Sequence, residues 1–138
     1  MNQTKAASKY LLAVFMVGAG TLHFVRPEFY LKIMPPFLPF HDELVFLSGL
    51  FEVVLGLLLL VPRCSQLSAW GIIALLIAVF PANIYLFQNQ ELFPAPPLLH
   101  MLRLPFQGVF VLWAFWHTRS TMNEPDNPSA ATMTSEPQ

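Results

Sequence analysis

Among the polar side chains that interrupt the oily stretches of this 138-residue chain, five could do chemistry together: His23, Glu52, Asn83, Arg103 and Gln107. Glu52 is the most isolated, set in SGLFEVVLGLLLLVP (48–62), where Ser48 is its only polar companion. A carboxylate in such a place can pair with a cation, carry a proton or anchor a ligand. A guanidinium can answer the acid, an imidazole titrates near neutrality, and a side-chain amide can orient a charge or read a carbonyl. The remaining chemistry-bearing residues narrow the field. His23, His41, His100 and His117 show no HxxxH or HxxEH spacing, so no dedicated metal site is expected. Cys64 is the lone thiol, which removes an internal disulfide and a dithiol redox pair.

The elements that hold these residues follow from composition. The chain is 55% hydrophobic and 11% charged, with a mean hydropathy of +0.54, well outside the range of a small soluble domain. A formal charge of −1 argues against a nucleic-acid partner. Apolar runs over 10–25, 44–61, 67–87 and 98–116 each approach the roughly 20 residues that a helix needs to cross hydrocarbon. Arg26-Pro27, Pro35-Pro36, Pro62-Arg63, Pro94 and Pro96-Pro97 punctuate them. The first run could be a secretory signal with cleavage near Val17-Gly18-Ala19, but it continues into His23 and Phe24, and a span is the better reading.

The expected fold is all-α: a four-helix transmembrane bundle over 10–118, with a short interfacial helix after the first span, started by Pro27 and stopped by Pro35-Pro36. Residues 1–9 form a cytosolic N-terminal segment. Residues 119–138, which lack aromatics and apolar runs, form a disordered cytosolic tail.

Lys5, Lys9, Arg63 and Arg119 outnumber Arg26 and Lys32 near the span ends, so both termini are expected in the cytosol. Trp70, Trp113 and Trp116 then fall at the inner interface. Glu52 lies about 12 Å into the second span by helical rise, and all five polar residues belong to the outer half. Gly49, Ser48 and Gly56 share the Glu52 face, Gly20 precedes His23 by three, and Arg103 and Gln107 stack at i, i+4. Small residues on those faces let helices approach closely. The expectation is a buried ionic layer in which Glu52 meets Arg103, directly or through Gln107 or a trapped water. Asn83 satisfies backbone loosened by Pro81, and His41, His100 and His117 sit at the water interfaces without a role. Pro81 and Pro105 each free a carbonyl, those of Ile77 and Met101, in the same layer.

The blocks IMPPFLPF, LSGLFEVVLGLLLLVP, AWGIIALLIAVFPANIY and RLPFQ resemble those of the DoxX-like family of small four-helix bacterial membrane proteins, over residues 10–118. The resemblance implies a bundle in the bacterial cytoplasmic membrane. Its wider relatives range from subunits associated with thiosulfate:quinone oxidoreduction to assembly chaperones, and a shared fold does not choose among them. The expected role is an accessory or ligand- and partner-binding subunit, with the lipid bilayer and a membrane or redox protein as partners. A quinone-linked oxidoreductase component is the first alternative, quinone being the cofactor such a subunit would hold. A small proton-coupled transporter using Glu52 is the second, although no inverted repeat is evident.

Orientation has a direct check because Cys64 is the only thiol. A membrane-impermeant maleimide applied to intact cells should leave Cys64 unlabelled until the membrane is permeabilised. Ready labelling of intact cells would invert the topology.

Overall fold

The computed structural model describes residues 2–119. Five α-helices follow in order: α1 (Gln3–Val25), α2 (Pro27–Lys32), α3 (His41–Leu60), α4 (Ser65–Gln88) and α5 (Pro97–Thr118), with one 3-10 turn at Gln90–Leu92 before α5. Among the described residues there is no strand. Four of the helices are long and apolar enough to cross a membrane, which makes this a multi-pass membrane protein. The tail beyond Arg119 lies outside the described residues.

The helix limits follow the punctuation. Pro27 and Pro97 occupy first-turn positions, where a missing N–H costs nothing. α1 starts at Gln3 rather than Tyr10, because the polar stretch TKAASK is itself helix-compatible and adds two turns before the apolar run. Those turns are used: Lys5 Nζ donates to the Arg119 carbonyl at 2.7 Å, and Ser8 Oγ accepts from Trp113 Nε1 at 2.7 Å. The two ends of the bundle are therefore distinct, one carrying the start of α1 and the end of α5 and the other capped by α2 and the long loops.

α1 packs along α3, α3 along α4 and α4 along α5, while α2 folds back across α1 and α3. The buried apolar core is Leu12, Ala13 and Met16 of α1, Leu59 of α3, Ala69, Ile72 and Ile73 of α4, and Ala114 of α5. Given the helix directions, these residues fill the terminal half of the bundle. Outward-facing residues such as Val14, Leu57, Leu67, Ile77 and Leu112 are exposed, as expected where lipid tails rather than protein cover them. The hydrophobic effect is satisfied by the bilayer, so the helices must be held by close contact and polar bonds.

Closest contact occurs between α1 and α3. A Cβ on Gly20 would stand 2.7 Å from the Gly49 carbonyl oxygen and 2.8 Å from Glu52 Cβ. One on Gly49 would stand 2.5 Å from His23 Cβ and 2.9 Å from the Gly20 oxygen. Further along, a Cβ on Gly56 would meet Met16 Cβ at 3.0 Å. Bare backbone thus lies against bare backbone along this interface. Ser68 Oγ fastens the next pair by donating to the Leu55 carbonyl of α3.

Gly49→Ala should cost about 1–3 kcal/mol through overpacking and lower the detergent unfolding temperature. Gly108→Ala, whose Cβ would meet nothing within 4 Å, should be neutral or stabilising by up to about 1 kcal/mol through helix propensity. Equal behaviour of the two variants would contradict the close α1–α3 approach.

Candidate functional site

Gly20 and His23 on α1 repeat the spacing of Gly49 and Glu52 on α3, each functional side chain standing three residues after a glycine. Where the two helices cross, the glycine of one admits the functional side chain of the other. His23 Nδ1 consequently lies 3.5 Å from Glu52 Oε2, with both side chains largely buried. The imidazole is fixed on its other contacts. Nδ1 donates to the Ala19 carbonyl at 3.0 Å, one turn back, and the ring stacks on Tyr30 with centroids 3.5 Å apart and planes at 19°. That leaves Glu52 Oε2 buried with no hydrogen-bond partner among the described residues, which is costly for a carboxyl oxygen away from water.

Tyr30 comes from α2, whose fold-back places it beside both charged groups. Burial raises the phenol pKa above its ordinary value, the Glu52 carboxylate adds to the rise, and Arg103 opposes it. Tyr30 is therefore a neutral hydroxyl through the physiological range, able to donate to a ligand. Its one hydrogen-bond partner among the described residues, the Ala19 carbonyl, is at 3.5 Å, at the limit of a useful bond.

The expected direct pair of Glu52 with Arg103 is not formed. The Arg103 guanidinium lies over the Phe93 ring, 5.8 Å from its centroid, and makes no ion pair among the described residues. The reason is positional. The glycine contacts deliver His23 to the acid from α1, while α5 presents Arg103 beside the loop that carries Phe93, where a cation–π contact holds it. Gln107 is likewise committed elsewhere. It accepts from Asn83 Nδ2 at 2.7 Å and donates to the Leu76 carbonyl, so the two amides tie α5 to α4 near the Pro81 turn. The carbonyl used is Leu76 rather than Ile77, the one that Pro81 deprives of its donor.

Acid and base nonetheless face the same space. A cavity of about 440 Å³ is lined by His23, Tyr30, Ser48, Glu52, Asn83 and Arg103, closed by apolar side chains from the 33–45 segment and α4. Its size is that of a small-molecule site, which usually measures about 300–1,000 Å³. Four of the five sequence-identified residues line it, and Gln107 braces Asn83 from behind. No group of three or more His, Cys, Asp or Glu that could hold a metal occurs among the described residues.

Two participants escaped the sequence reading. Tyr30 and Phe93 lie outside the spans, in segments whose return toward the bundle carries no periodic signal; the only hint was the Pro27 helix start. The other histidines also differ from the expectation of idle interfacial residues. His41 Nε2 contacts the Pro35 carbonyl and His100 Nε2 the Phe93 carbonyl, each at 3.1 Å, and His117 Nε2 contacts Ser8 Oγ at 3.2 Å. They clasp loops and helix ends.

A family model described as a domain of unknown function, DUF8561, matches residues 12–118, and the chain belongs to that family. No curated protein matches the chain, and no solved structure does.

Gln107→Leu should strand the Asn83 amide and remove the second bond to the Leu76 carbonyl. A loss of about 1–2 kcal/mol in detergent stability is expected, and a cycle with Asn83→Leu should show that the two losses are not additive. Additive losses would mean that the amides act apart.

Proposed function

We propose that this DUF8561 protein is a DoxX-like subunit of the bacterial cytoplasmic membrane, with both termini in the cytosol, that binds a small amphipathic ligand in the chamber between α1, α2, α3 and α4. The supporting observation is the convergence of an acid, an imidazole, a phenol, an amide and a guanidinium on one cavity of about 440 Å³, with one buried carboxyl oxygen of Glu52 lacking a donor. A network that existed only to lock helices would pair its charges fully. Here the lock is made by Asn83 and Gln107, while Glu52 Oε2 lacks a donor and Arg103 lacks an ion-pair partner among the described residues. In this reading Glu52 receives a ligand hydrogen bond, Tyr30 and Asn83 orient the ligand, and the His23 ring packs beside the carboxyl group.

A second reading, a quinone-linked oxidoreductase component, is favoured by one further feature. An apolar cavity of about 410 Å³ shares Leu76, Asn83 and Arg103 with the polar chamber, so a ring carbonyl could sit by Arg103 or Tyr30 with its chain alongside α5. Such a subunit would work with a redox partner protein.

Mass spectrometry of small molecules extracted from the purified protein tests the proposal. A stoichiometric compound is expected from the wild type and roughly tenfold less from Glu52→Gln, as for loss of a hydrogen bond to a charged group. A quinone mass would select the second reading. An empty wild type together with an unperturbed Glu52→Gln would leave the chamber a structural feature.

A further inference from the structure

The α1–α5 side of the bundle is sealed along only part of its length. In the terminal half, Phe15 stacks on Phe110 with centroids 4.5 Å apart, and Ser8 bonds both Trp113 and His117. Beyond Phe15, no hydrogen bond or ring contact joins α1 to α5 among the described residues. The next closure on this side is Phe29 of α2 against Phe93, 5.6 Å between centroids. Two aromatic pairs therefore frame a window at the level of the polar chamber.

The window is not flat. The apolar cavity of about 410 Å³ occupies it, with Phe15, Leu99, Phe106 and Phe110 along its walls. A smaller cavity of about 250 Å³ continues it toward α2, past Leu22 and Tyr30. Arg103 lines both of these and the inner chamber as well. It is exposed in the bare protein, on a helix otherwise faced with leucine, phenylalanine and methionine. A guanidinium open to lipid without a counter-charge is unfavourable, and here the residue in contact with it is an aromatic ring.

We infer that the window between α1 and α5 admits a single-chain lipid anion laterally from the bilayer, its apolar chain lying in the groove and its carboxylate or phosphate head on Arg103. Charge complementarity commits the head to an anion. The framing rings and the groove's apolar walls commit the remainder to one flexible hydrocarbon chain. Asn83 and Tyr30 stand beside the head, on the way to the inner chamber. This inference rests on the binding role proposed above and adds to it the route and the class of ligand.

The test uses the full-length protein in phosphatidylcholine vesicles with a diazirine-bearing C16 fatty acid. Saturable photolabelling is expected on peptides from the first halves of α5 and the second half of α1. Palmitate and hexadecyl phosphate should both compete, the one effective at the lower concentration identifying the head group, whereas hexadecanol should not. Arg103→Gln should reduce labelling about tenfold and Arg103→Lys should restore most of it. Ala95→Trp, which fills the groove without touching the inner chamber, should reduce labelling even if Arg103→Gln fails to fold. Labelling that is unsaturable, spread over all lipid-facing helices, equally inhibited by hexadecanol, or unchanged in Ala95→Trp would overturn the inference. A small molecule retained in a Glu52-dependent manner despite any of those results would leave the chamber reading standing and remove only the lateral route. Saturable seam labelling with no Glu52-dependent ligand would do the reverse.

Discussion

The meeting of α1 and α3 along unsubstituted backbone governs what the rest of the molecule can do. In hydrocarbon, apolar side chains gain little by leaving lipid for one another, so helix pairs are selected by how closely they can approach and by the polar bonds that approach allows. Gly20 and Gly49 remove the two side chains that would hold these helices apart, and a Cβ on either would collide with the other helix. Once the backbones touch, the residue three positions on from each glycine is delivered into the same space. His23 and Glu52 become neighbours as a consequence of that crossing, and α2, which leaves α1 immediately after His23, brings Tyr30 onto the imidazole.

From this crossing the bundle divides into two unlike halves. Toward the termini, leucine, isoleucine, alanine and methionine interlock, and the Ser8, Trp113 and His117 contacts close α1 onto α5. Toward the loops α1 and α3 stay in close contact, and polar side chains line adjoining spaces that share Arg103. The second half is held by the Gly20–Gly49 approach, by ring contacts such as Phe24 with Phe46 and Phe29 with Phe93, and by polar bonds: Asn83 with Gln107, Gln107 with the Leu76 carbonyl, and the histidine clasps on Pro35 and Phe93. A binding site needs such a half, since a region packed to interior density has no room for a ligand.

The spans were legible because length and hydropathy report membrane crossing directly, and each helix limit except the start of α1 falls within three residues of its expected position. The residues of the site were legible too, because an ionised or amide side chain in hydrocarbon stands out from its surroundings. Their partners were not. Depth along a span placed Glu52 and Arg103 together, but it carries no information on which helices are neighbours. The matched Gly-x-x-His and Gly-x-x-Glu spacings held that information and point to α1 against α3. Cation–π capture of Arg103 by Phe93, and the contribution of Tyr30, depend on how loops return to the bundle, which hydrophobic periodicity does not encode.

Solid-state NMR on protein in bilayers, with ¹³C-labelled glutamate and, in two separate samples, ¹⁵N-labelled histidine or ¹⁵N-labelled arginine, measures the central contact without altering it. Dipolar dephasing between the His23 Nδ1 and the Glu52 carboxyl carbon is the expected result, consistent with the 3.5 Å separation of Nδ1 from Oε2. Absence of that coupling, with Glu52 instead dephased by an arginine guanidinium, would contradict the glycine-delivered pair and restore an ionic link between α3 and α5.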